Sequence, residues 1–148
     1  MAHNYKQGFF KPQNPNKYMG DPTNIVYRSG WEKRVMDWCD ANPNIKQWSS
    51  EEIVIPYKSP VDDRWHRYFV DFYVEAVGSD GQTLKLLLEV KPKAQTQEPK
   101  VQSRKTKRYI TEVVTYGVNQ AKWKAAEEYC KDRGWQFMLI TEDQLFKK

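Results

Sequence analysis

Apolar side chains recur at Trp31, Val35, Trp38 and Cys39, the i, i+4, i+7, i+8 spacing of a helix that turns one face to a core. Ser29-Gly30-Trp31-Glu32 in front of this stripe has capping-box order, so the helix is predicted to start at Ser29 and to end at Asn42-Pro43. Extended segments follow at about 45–48 and 52–57. The run Arg67 to Val74 is dense in β-formers and reads as one strand, with Phe69, Asp71 and Tyr73 on a single face. After the turn signal Gly78-Ser79-Asp80-Gly81, a second strand runs from Leu84 to Lys91 and is stopped by Pro92. Leu84, Leu86, Leu88 and Val90 share one of its faces, Glu89 and Lys91 the other, and a hairpin is the simplest way to join the two strands.

Beyond Thr106, the set Tyr109, Ile110, Val113, Val114 and Tyr116 predicts a helix interrupted near Gly117. A second helix is predicted over Ala121 to Asp132, closed by Gly134. Trp135 to Ile140 reads as a buried strand, and Thr141 as the cap of a short terminal helix. Strands in series, then crossover helices and a last strand, make an α/β domain with a central mixed sheet flanked by helices. Positions 1–28, with Pro12, Pro15 and Pro22 among scattered Asn, Lys and Gly, read as an extended N-terminal arm, leaving 29–148 as a single domain.

At 148 residues with 39% hydrophobic and 14% aromatic side chains, the chain is too apolar for a disordered class and fits one domain. No stretch reaches the roughly 20 apolar residues of a membrane helix, and the N-terminal residues lack a signal peptide's apolar segment, so secretion is not expected. Cys39 and Cys130 are too few for a disulfide framework and are expected to be buried, inert thiols. His3 and His66 lie far from both in sequence, which disfavours zinc.

The net charge is +5, and its distribution is uneven. Between positions 91 and 108, Lys91, Lys93, Lys100, Arg104, Lys105, Lys107 and Arg108 face a single acid, Glu98. Such a cluster suits a polyanion. Lys93, Lys100, Arg104, Lys105 and Lys107 are the candidate phosphate contacts, with a solvated loop and helix face as the ordinary alternative.

Asp71 in a strand and Glu89-Val90-Lys91 at the end of the next would bring two carboxylates and an ammonium to one end of a hairpin. Two close carboxylates repel and raise each other's pKa unless a cation sits between them. Magnesium, which takes oxygen ligands and keeps several waters, suits such a pair together with a substrate phosphate, and Mn2+ is expected to substitute. Lys91, on the face of Glu89, is placed to orient water or to neutralise a pentacovalent phosphate. The group is equipped for phosphodiester hydrolysis. Each residue also has an ordinary reading: Asp71 as a solvent-facing strand acid, Glu89 and Lys91 as polar alternation, Glu32 as a capping residue. No Ser/His/Asp grouping and no phosphate-binding Gly-rich loop competes.

Asp71, then Glu89-Val90-Lys91 on the following strand, with Glu32 on a preceding helix, resembles the PD-(D/E)xK nuclease superfamily, whose core runs αβββαβ, and in particular the transposase endonuclease subunit of the Tn7 type. Val70 stands where the superfamily name has proline. A broader resemblance covers most of the chain. The blocks Lys17-Tyr18-Met19-Gly20-Asp21-Pro22, Tyr27-Arg28-Ser29-Gly30-Trp31-Glu32-Lys33, Val54-Ile55-Pro56-Tyr57, Arg67-Tyr68-Phe69, Glu89-Val90-Lys91-Pro92-Lys93 and Val118 through Ala126 are similar to the head completion nucleases of contractile-tailed bacteriophages.

That resemblance implies a restriction-endonuclease-like fold and a metal-dependent endo- and exodeoxyribonuclease that prepares filled phage heads for tail joining. It implies Glu32, Asp71 and Glu89 as metal ligands and Lys91 as the catalytic lysine, with Lys93 a second lysine that can share the role. The implied partners are double-stranded DNA and, among proteins, the phage portal or neck components. The implied location is the virion or the host cytoplasm during assembly. A structural DNA-binding adaptor at the head vertex, with a vestigial nuclease site, is the alternative from another class. A transposase-like subunit cutting at specific ends is a third, for which 148 residues leave little room for a recognition domain.

Overall fold

A computed structural model describes residues 7–146. Their elements are β1 (Gly8–Phe10), β2 (Ile25–Tyr27), α1 (Gly30–Ala41), β3 (Ile45–Ser50), β4 (Val54–Lys58), β5 (Trp65–Phe69), β6 (Phe72–Val77), β7 (Thr83–Val90), α2 (Lys107–Arg133), β8 (Gln136–Ile140) and α3 (Glu142–Leu145). One sheet has the order β3-β6-β7-β8: the first three strands are antiparallel neighbours and β8 joins β7 in parallel. A parallel return needs a crossover, and α2 supplies it. Read through this sheet, α1, β3, β6, β7, α2 and β8 give the expected αβββαβ core of a mixed α/β fold.

Two apolar layers fill the faces of the sheet. On one, Val35, Met36 and Cys39 of α1 pack with Ile45 and Trp48 of β3, Phe72 and Val74 of β6, and Leu88 of β7. On the other, Trp123, Ala126 and Cys130 of α2 pack with Ile55, Tyr57, Tyr68, Tyr73 and Leu87. Strands buried on both sides explain the continuous apolar runs Phe72-Tyr73-Val74 and Leu86-Leu87-Leu88.

The Ser29 cap is present: its hydroxyl accepts the Glu32 N–H at 3.1 Å. The Glu32 carboxylate, however, takes the N–H of Arg28 at 3.2 Å rather than closing a reciprocal box on Ser29. The buried face of α1 is Val35, Met36, Cys39 and Asp40, and Trp38 is 47% exposed, so the stripe is rotated from the one expected.

That rotation comes from the N-terminal segment, which is no extended arm over its described part. β1 and β2 form an antiparallel hairpin, and Phe10, Tyr18 and Ile25 are buried in the core against Trp48. Asp40 faces inward because its carboxylate accepts the N–H groups of Gln13 and Asn14 at 2.8 and 3.0 Å, while Lys17 Nζ donates to the carbonyls of Asp40 and Asn42. Buried aromatics and these bonds offset the prolines' bias toward an open chain. Positions 1–6 lie outside the described residues.

Two further expectations change. The run Arg67 to Val74 is split into β5 and β6, with Val70 and Asp71 between them. The helix expected to break at Gly117 is continuous for 27 residues, since one internal glycine costs only about 1 kcal/mol and Tyr109, Asn119, Trp123, Ala126 and Cys130 are buried along it. It ends as expected at Gly134, whose φ of 72° is the left-handed cap that favours glycine. β8 forms where a strand was expected, but it lies at the edge of the sheet and is half-buried rather than buried, with Met138 42% exposed.

Candidate active site

The split at Asp71 has a local cause. Ser50 pairs with Phe72 and Val54 with Phe69, so residues 51–53 stand opposite 70–71, three against two. One extra residue makes a β-bulge, which bends a ribbon and re-aims a side chain. The bend sends β4 and β5 out of the central sheet and onto α2. Glu51 takes the strain with a φ of 56°, and its N–H donates to the Asp71 carbonyl at 3.1 Å. Asp71 therefore occupies a bend at the head of β6 and not the middle of a strand.

Extending the β6–β7 register one pair beyond Phe72 and Leu88 puts Asp71 opposite Glu89. Asp71 Oδ2 accepts the Val90 N–H at 2.8 Å. Burial pushes the Asp71 carboxyl well above the usual carboxylate range and the Glu89 charge pushes it further, against the Val90 N–H and Lys91. Glu89, 6% exposed, is also raised by burial, opposed by the hydrogen bond from Tyr68 and the charge of Lys91. Without a cation such a pair does not carry two full negative charges easily.

Two residues that residue types and spacing did not single out act on Glu89. Tyr68 donates its hydroxyl to Glu89 Oε1 at 2.7 Å in the buried interior. Lys122 of α2 lies 5.6 Å from the centre of the Tyr68 ring, and its charge also acts on Glu89. Burial and Glu89 push the Tyr68 hydroxyl pKa upward, so it stays a donor. Tyr68 was hidden because a tyrosine in a β-rich run reads as core, and Lys122 because it is one lysine on a long helix. Lys91 Nζ stands 3.9 Å from Glu89 Oε2 with 28% of its side chain exposed, between the carboxylates and solvent.

Glu32 reaches the same end of the sheet from the other face. Burial raises its pKa, the Arg28 N–H opposes this, and its charge adds to the rise at Asp71. Arg28 in turn bonds Glu51 through Nε and an Nη at 3.2 and 3.3 Å. Among the described residues, no three His, Cys, Asp or Glu side chains stand together as a cage for a metal ion. Glu32 is thus in electrostatic range of Asp71 and Glu89 and is not gathered with them into a three-carboxylate site, because its carboxylate is turned to the backbone of Arg28. Two desolvated carboxylates with raised pKa values are still a fitting donor set for Mg2+, which binds through one or two carboxylates, water and substrate phosphate.

The basic residues divide. Lys93 Nζ pairs with Asp143 at 3.1 Å, outside the carboxylate cluster. Lys100, Arg104, Lys105 and Lys107 are all exposed, in the loop before α2 and in its first residue, with Lys105 Nζ 5.3 Å from the centre of the Tyr109 ring. Among the described residues, none of these four has a carboxylate within 4.0 Å. His66 is an exposed β5 residue paired with Asp62 at 2.8 Å and stands apart from the carboxylates.

A kinked antiparallel ribbon with acids at its bend, inside an αβββαβ core, is the framework of an endonuclease domain. Residues 42–142 match the family model described as TnsA-like endonuclease N terminal, and the chain belongs to that family. The match includes Asp71, Glu89 and Lys91 and leaves Glu32 outside. The chain is also 42% identical over 142 residues to the head completion nuclease of Enterobacteria phage T4, an alignment covering 93% of this chain and 92% of that protein.

Proposed function

We propose that the chain is a DNA nuclease of bacteriophage head completion, hydrolysing phosphodiester bonds at Asp71, Glu89 and Lys91 with a divalent cation. The observation that carries this reading is the convergence, at the bulged end of β6 and β7, of two desolvated carboxylates and one partly exposed lysine. Membership of the endonuclease family and the 42% identity to a head completion nuclease support the reaction class and the setting.

Asp71 and Glu89 would hold Mg2+ or Mn2+, and Glu32 would join through water or by turning from Arg28. Bound there, the cation supplies positive charge that acidifies water and polarises the phosphate. Lys91 contributes a fixed ammonium at the solvent side of Glu89, where it donates to a phosphate oxygen as charge builds in the transition state. Tyr68 favours the charged form of Glu89 against the effect of burial and aims it, because its hydroxyl donates to the carboxylate and stays protonated. The two carboxylates repel an approaching phosphate on their own, so catalysis requires the cation and Lys91 together. The exposed Lys100, Arg104, Lys105 and Lys107 grip the duplex backbone without reading sequence. No helix among the described residues is long and apolar enough to cross a membrane, and we place the protein in the virion or host cytoplasm during assembly, in contact with portal or neck proteins.

The test is cleavage of supercoiled and linear DNA with and without Mg2+, beside the Lys91→Ala protein. Nicking of circles separates endo- from exonuclease action. A wild-type protein that leaves both substrates intact in Mg2+ and in Mn2+, or a Lys91→Ala protein as active as wild type, refutes the reading and favours a DNA-binding adaptor.

A further inference from the structure

Beyond the bulge, β4 and β5 form a two-stranded sheet with two unlike faces. Ile55, Tyr57 and Tyr68 point to α2 and are buried. The opposite face consists of Val54, Pro56 and Lys58 on β4, set directly across from Phe69, Arg67 and Trp65 on β5. All six are exposed, Trp65 by 70% and Phe69 by 45%. Side chains on one strand face at i, i+2 and i+4 are about 7 Å apart, so Trp65, Arg67 and Phe69 form a row of ring, cation and ring. The Arg67 guanidinium lies 5.6 Å from the centre of the Phe69 ring. No carboxylate belongs to this face; the acid paired with Lys58 is Asp63 in the turn, at 3.4 Å.

We propose that this face is a stacking platform for unpaired bases of the DNA substrate, so that the nuclease takes up DNA with single-stranded or frayed segments. The inference deepens the nuclease reading and rests on it for the identity of the ligand. Exposed rings interleaved with cations and free of acids match the two needs of a single strand: base faces to cover and phosphates to neutralise. A duplex hides its base faces in its own stack and has no use for the rings. Phe69 is two residues from Asp71 along the chain, so the row ends at the bulge next to the bend that carries Asp71. An acidic protein surface would satisfy the cations and offer the rings no planar partner.

The experiment measures anisotropy of a fluorescein-labelled oligo-dT and of a labelled blunt hairpin duplex, in EDTA to prevent cleavage, with the full chain and its Trp65→Ala/Phe69→Ala variant. Both positions are exposed, and melting curves check that the fold is kept; Trp65→Ala alone serves if the double variant is unstable. Removing two rings on which bases stack predicts oligo-dT binding weakened roughly 30-fold or more, with duplex binding changed less than about twofold and Trp65→Phe close to wild type. Unchanged oligo-dT affinity overturns the proposal and leaves the face to a protein partner. An equal loss on both probes overturns the preference for unpaired bases, because a duplex has no free base faces for the rings to cover. Cleavage of the same oligonucleotide in Mg2+ is scored separately: a wild type that binds through Trp65 and Phe69 and never cleaves leaves the platform standing and removes the nuclease reading. A wild type that cleaves, with binding indifferent to both rings, does the reverse.

Discussion

The end of β6 and β7 and the loop before α2 both concentrate charge, and they treat it in opposite ways. Asp71 and Glu89 are desolvated, coupled to each other and held by the Val90 N–H and the Tyr68 hydroxyl, and both have raised pKa values. Lys100, Arg104, Lys105 and Lys107 stand in water. Taken from water, a charge becomes dependent on whatever partner it is given, which is a condition for chemistry. Left in water, a charge is screened, nearly independent of its neighbours and suited to gripping a flexible polyanion.

The sharpest way to break this comparison is at the buried end. Asp71→Ala or Glu89→Ala should abolish cleavage, yet stability should fall little or rise, because removing one carboxylate relieves repulsion in the metal-free protein. A purified, folded variant with wild-type turnover would end the assignment. Glu32→Gln comes next. The amide can still accept the Arg28 N–H, so a capping role predicts silence, whereas participation with a cation predicts a loss of orders of magnitude at constant melting temperature. Tyr68→Phe removes only the hydroxyl that orients Glu89, and activity or metal affinity should drop about 10–100-fold, with the deficit partly recovered at high Mg2+. An unchanged Mg2+ titration would make Tyr68 a packing residue alone.

At the exposed end, replacing Arg104, Lys105 and Lys107 together by alanine should shallow the dependence of log affinity on log salt by about 0.9 for each phosphate no longer neutralised. Turnover on saturating DNA should persist, since these groups would bind ground and transition states alike. A salt slope equal to wild type would mark the cluster as a solvated face. Cys39 isolates burial without catalysis: its thiol is pushed up from 9.0 to about 12, first by desolvation. A raised acid pKa means stability present in full below pH 9 and lost as pH climbs toward 12, about 1.4 kcal/mol by pH 10. Cys39→Ala should flatten that alkaline loss in denaturant melts across pH 8–10.

Much of the site could be read from residue types at fixed spacing. Glu89, Lys91 and the cap at Ser29 are local patterns, and the Gly78-Ser79-Asp80-Gly81 turn already returns β7 beside β6. Tyr68, Lys122, Arg28 and Glu51 were not legible, because their parts depend on which residue lies across a gap in space. The same holds for the split at Asp71. A run of β-formers gives no sign of a bulge, since the extra residue is on the partner strand at 51–53.

By itself the sequence determined the kind of most elements, the hairpin of β6 and β7, the candidate acidic and basic residues, and the family resemblance that implied the αβββαβ order. The elements and the hairpin depend on short-range spacing and intrinsic propensity. Tertiary structure decided that residues 8–27 fold onto α1, that the helix runs through Gly117, and that the ribbon bends at Asp71. It also turned the Glu32 carboxylate to Arg28 and left Trp65 and Phe69 facing solvent. The reason is energetic: burial against a distant partner easily exceeds a local preference of about 1 kcal/mol, so wherever the two compete the packing across space sets the outcome.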